Sequence, residues 1–162
     1  MAGTRIGHGG NPEKACTCTP LDVKKYLSRI SGPLLDRIDI HIDVPAVPYR
    51  DLASTAPDES SAQVRPRVNA ARQLQQQRYA TDGLFCNAHM LPKHLRTYCQ
   101  LDPGGRQLLE AAMGRLGLSA RGYDRVLKVA RTIADLAGAT AIGAEHVAEA
   151  VQYRSLDRER WP

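Results

Sequence analysis

The sequence predicts a protein that is mostly α with a small α/β remnant. Three observations carry that prediction. Proline follows a capping or boundary residue at Thr19-Pro20, Leu91-Pro92 and Asp102-Pro103, and a proline at the first helical position marks a helix start. The last third of the chain spaces its apolar residues at the helical period. One stretch alternates with period two: Ile38, Ile40, Ile42 and Val44 on one side, Asp39, His41 and Asp43 on the other.

In order, residues 1–18 are Gly-rich and polar and read as loop. Thr19 and Pro20 open a helix to about Ile30, with Val23, Tyr26, Leu27 and Ile30 on one face, and Ser31-Gly32-Pro33 breaks it. A short helical turn through Leu34, Leu35 and Asp36 leads into the alternating stretch, read as a half-buried strand stopped by Pro45. A linker follows. Asp58, Ser60 or Ser61 caps a long helix from about Ala62 to Ala80, in which Pro66 fits only the first turn or a kink. Helices then span Leu91 to Leu101, Asp102 to Leu116, Ser119 to a left-handed cap at Gly138, and Ala144 to Tyr153. Their short connections predict antiparallel neighbours.

The 162 residues amount to 17.8 kDa, enough for one domain with a real core. Hydrophobic residues make up 43% and aromatic ones only 5%, so that core is aliphatic. Mean hydropathy is −0.38, and no apolar run approaches the roughly 20 residues of a membrane helix. The N-terminus lacks the apolar stretch of a secretory signal, so a cytoplasmic protein without a membrane partner is expected. The four cysteines are accordingly expected as thiols. The net charge of +5 suits phosphate-bearing partners, nucleotide or nucleic acid. The chain contains no G-x-x-x-x-G-K-[ST] loop and no apolar strand ending in acidic residues, so a complete nucleotide-hydrolysing core is not expected in it.

Three places carry candidate chemistry. Arg37 stands on the end of a short helix just before the alternating stretch, where a rigidly held guanidinium suits bidentate contact with phosphate; equally, it pairs with Asp36 or Asp39. Arg121 lies in the first turn of its helix, where the dipole favours an anion. It shares a face with Arg125 and Lys128, which also reads as a plain solvated basic face. Cys16 and Cys18, with His8 upstream, supply at most half of a zinc site, so zinc is not expected. Cys86 and Cys99 read as packing thiols and His41 as a solvated strand residue.

The runs CTCTPLDVKKYLSRISGPLLDRIDIHIDVPAV, LGLSARGYDRVLKVARTIADLAG and EHVAEAVQYRSLDR resemble the C-terminal part of ComM-type (YifB-type) magnesium-chelatase-like AAA+ ATPases. The resemblance covers Gly9 to Arg158. It implies the end of an AAA+ α/β core over 1–48, a linker and long connecting helix over 49–90, and a helical lid over 91–162. It implies that Arg37 is an arginine finger acting in trans, with Asp36 beside it as an inter-subunit partner, and that Arg121 is the sensor-2 residue that contacts the γ-phosphate. Related fingers are worth about 10³–10⁵ in rate. ATP and Mg2+ are the implied cofactors of the full-length family. ATP and ADP, a homo-oligomer (a hexameric ring) and DNA are the implied partners, the last through branch migration in competence. The chain departs from the family where a C-P-C-G pair is expected, having Thr4-Arg5-Ile6-Gly7 instead, which reads as a truncated or differently started frame. Two other functions stay open: a stand-alone basic helical nucleic-acid-binding module, and a non-functional remnant whose apolar alternating stretch invites aggregation.

Overall fold

The computed structural model describes residues 17–42, 44, 47, 49, 53 and 58–154. Among them, α1 spans Pro20–Leu27, α2 Gly32–Leu35, α3 Ser61–Arg78, α4 Pro92–Tyr98, α5 Pro103–Leu116, α6 Ala120–Leu136 and α7 Ala144–Gln152, with a 3-10 turn at Asn87–His89.

Capping chemistry sets most of these starts. Thr19 accepts from the amide of Asp22, whose carboxylate accepts from the Thr19 amide in return. The same reciprocal box joins Ser60 and Gln63 at α3, which continues through Pro66 in its second turn. Asp102 accepts from the amide of Gly105 at 2.6 Å, and Ser119 from that of Gly122 at 3.0 Å. Two buried histidines do similar work: Nδ1 of His94 accepts from Leu91, and Nδ1 of His146 from Gly143. Gly117 and Gly138 take the left-handed conformation just beyond α5 and α6, at φ 61° and 69°.

α6 is the central helix. It packs against α3, α4, the 3-10 turn and α7. α5 packs chiefly on α7 rather than on its sequence neighbours, contrary to the pairing expected from short connections. The core is mainly aliphatic, built around Leu95, Leu109, Val126, Leu127, Ala130, Ala134, Ile142 and Val147, and includes Tyr79 and Met90. A polar node lies inside it. The carboxylate of Asp135 accepts from both Nη atoms of Arg78, from Nδ2 of Asn87 at 2.9 Å and from Nε of Arg131 at 3.0 Å. Arg131 then spans the α6–α7 connection, donating to the carbonyls of Ala139 and Thr140.

Two expectations fail at the N-terminal end. α1 stops at Leu27 instead of Ile30: the Ser28 hydroxyl bonds back to the Lys25 carbonyl, and Tyr26 and Ile30 are exposed. The strand from Ile38 to Val44 does not form among the described residues; Asp43 lies outside them. Residues 38–42 run as irregular backbone, and Ile40, Ile42 and Val44 are exposed. A ladder needs a second strand, and the described residues contain only an isolated bridge between Leu101 and Ile142. The fold is thus mostly α, and no described residue adds a sheet to it.

Candidate functional site

The site lies where the segment after α2 meets the start of α6. The amide of Arg37 donates to the carbonyl of Leu34 at 3.0 Å, so Arg37 closes the turn that α2 begins. Its side chain is exposed and makes no ion pair among the described residues. The neighbouring carboxylates do not pair with it, as one reading of the spacing expected. Asp36 instead accepts from the hydroxyl of Ser119 at 2.8 Å and faces Nη2 of Arg154 at 3.5 Å. Asp39 pairs with Arg125.

Arg121 is the second residue of the 17-residue α6 and is exposed there. The basic face it shares is not uniformly solvated. Arg125 is taken by Asp39, and Nζ of Lys128 donates to the carbonyl of Ala88 at 3.0 Å. Burial, with help from Arg125, lowers the pKa of Lys128. Arg37 and Arg121 therefore lie one and two residues along from the partners of the Asp36–Ser119 hydrogen bond, and both residues are exposed.

Arg154 is the residue that spacing did not single out. It follows α7, is 0% exposed, and donates from Nη1 to the carbonyl of Ile38 at 2.5 Å. The only signal in the sequence is its place, just past an amphipathic helix. His41, expected on a solvated side, is partly buried, and its amide donates to the carbonyl of Tyr153 at 2.9 Å. Beside this junction, Ile40, Ile42, Ile133, Lys128 and Tyr153 help line a cleft of about 320 Å³.

The cysteines divide by surroundings. Cys16 lies outside the described residues, and Cys18 is partly buried. Among the described residues, no three His, Cys, Asp or Glu side chains converge as a metal site. Cys99 is a core thiol, pushed up to about 12 by burial. For Cys86 burial also acts upward, but hydrogen bonds from Arg72 and from the amides of Ala88 and His89 outweigh it, and its pKa is lowered. No described helix is long and apolar enough to cross a membrane.

Two family models match the chain, and together they cover most of it. Residues 58–154 match the family of the magnesium chelatase subunit ChlI C-terminal region, and residues 1–52 that of magnesium chelatase subunit ChlI. The chain belongs to this magnesium chelatase family. It is 43% identical over 141 residues to competence protein ComM of Haemophilus influenzae, across 86% of this chain and 27% of that protein. To YifB of Escherichia coli it is 43% identical over 142 residues, across 87% and 27%. To Rv2897c of Mycobacterium tuberculosis it is 37% identical over 145 residues, across 90% and 29%. The chain thus spans little more than a quarter of the length of these curated relatives.

Proposed function

We propose that the chain supplies two arginines to the nucleotide sites of an ATP-dependent ring. Arg37 reaches in trans to the site of a neighbouring subunit, and Arg121 contacts the γ-phosphate as sensor 2. The observation that supports this reading is the Asp36–Ser119 hydrogen bond, which joins the two segments that bear these exposed arginines. They fit a phosphate: Arg121 stands among the open amides at the start of a long helix, and Arg37 is held by a backbone turn. When bound, ATP with its Mg2+ would bring the phosphoryl group whose charge these residues stabilise during transfer. The chain's own residues offer no phosphate loop, so other polypeptide must hold the nucleotide. In this division residues 1–48 close the α/β core, 49–90 connect, and 91–162 form the lid. Asp36 is engaged within the chain, so any part it plays between subunits competes with Ser119 and Arg154.

A DNA-acting ring is supported by the net charge of +5 and by the name of the Haemophilus relative, a competence protein. Two of the three basic residues on the α6 face are engaged internally, which favours this reading over a stand-alone nucleic-acid module.

The test mixes the chain with a polypeptide that carries the family's phosphate loop and measures ATP turnover. Arg37→Ala is expected to lower the stimulated rate by about 10³ or more. Turnover that is the same with and without the arginine overturns the trans role.

A further inference from the structure

Five contacts fasten residues 36–41 to the helical bundle: Asp36 to Ser119, Asp36 to Arg154, Ile38 to Arg154, Asp39 to Arg125, and His41 to Tyr153. Ile38 and Ile40 are exposed, and no sheet ladder is present among the described residues. Arg154 lies beneath it, fully buried. A buried guanidinium is costly unless its donors are used. This one directs a donor to a main-chain carbonyl immediately after Arg37 and faces the carboxylate immediately before it. Ser119, which also holds Asp36, caps the helix that bears Arg121.

We propose that Arg154 is a positioning residue that locks the backbone on both sides of Arg37 onto the bundle, so that Arg37 and Arg121 move as one unit. The functional half of this inference rests on the roles proposed above for those two arginines. In a ring, a lid that shifts with its own nucleotide then carries the finger aimed at the neighbouring one. Adjacent sites become coupled through one buried side chain.

Amide exchange of the full chain, followed by NMR, tests the lock without any nucleotide. Arg154→Gln is expected to speed exchange of the His41 amide at least tenfold, while Val126 and Ala130 within α6 change less than twofold. Arg154→Lys keeps a donor for the Ile38 carbonyl and is expected to bring His41 back to within threefold of wild type. Unchanged His41 exchange overturns the lock. So does a rise that only keeps step with Val126 and Ala130, because Arg154 would then merely support the bundle. Should Arg154→Gln fail to fold, the double change Asp36→Asn and Asp39→Asn loosens the segment from its other side and is judged by the same criteria. In the mixed ATPase, Arg154→Gln is expected to lower kcat at least tenfold with the KM for ATP unchanged, and Arg154→Lys to restore it. Faster His41 exchange with unaltered turnover would support the lock and overturn its functional half, while the role of Arg37 itself is decided by Arg37→Ala.

Discussion

Arg78 grips the carboxylate of Asp135 with both ends of its guanidinium, across 57 residues of sequence and inside the bundle. Asp135 has no exposed side-chain surface, and Asn87 and Arg131 complete its set of donors. This pair ties α3 to the central helix. Removing one partner of a buried ion pair leaves the other charged and uncompensated, at about 3–5 kcal/mol. Arg78→Ala and Asp135→Ala are each expected to lower the unfolding free energy by such an amount. The double substitution is expected to cost less than the sum, as a double-mutant cycle on urea unfolding would read.

The same carboxylate predicts a pH dependence. Burial pushes its pKa up, but the hydrogen bonds from Arg78 and Asn87 prevail and hold it below the ordinary 3.8. A depressed folded value means stability that is fully present above the unfolded value and lost as the pH falls through the folded one. Thermal melts are therefore expected to weaken below about pH 4, with a smaller slope in Asp135→Asn.

Thiol chemistry separates two cysteines. Cys86, partly buried beside Arg72, has a lowered pKa, and Cys99 in the core is pushed up to about 12. The thiolate is the reactive form. Alkylation of the folded chain at pH 7.5, mapped by peptide mass spectrometry, is expected to modify Cys86 at least tenfold faster than Cys99. Equal rates would show that the core opens freely.

Glycines on α5 give opposite expectations. A Cβ on Gly105 would meet Asp102 Oδ1 at 3.0 Å and Val147 Cγ2 at 3.3 Å, whereas one on Gly114 meets nothing within 4 Å. Gly114→Ala is expected to stabilise by about 0.5–1 kcal/mol, the usual gain within a helix. Gly105→Ala is expected to lose that gain, because the helix cap and the α5–α7 contact must both shift. Paired thermal melts decide it.

The helix starts were legible because their chemistry is local. Asp102 before Pro103, and Ser119 three residues before Gly122, announce α5 and α6 from neighbours alone. The Asp135 node was not legible, since spacing treats Arg78, Arg131 and Asp135 as surface, and only tertiary packing reveals charged groups satisfying one another indoors. The stretch from Ile38 misled for a related reason. Alternation reports the face a strand would bury, but a strand exists only with a neighbour to bond. Arg37 and Arg121 became candidates through resemblance, and the link between their segments emerged only when Asp36 met Ser119.

One guanidinium, that of Arg131, bridges two successive carbonyls at Ala139 and Thr140 and returns to Asp135 four residues along its own helix. It acts as a gauge for the passage between the two best-packed helices. Lengthening that passage by a single residue would pull a carbonyl off its donor, so tags, reporter fusions and circular-permutation ends belong elsewhere, such as the exposed stretch around Thr81 to Gly83.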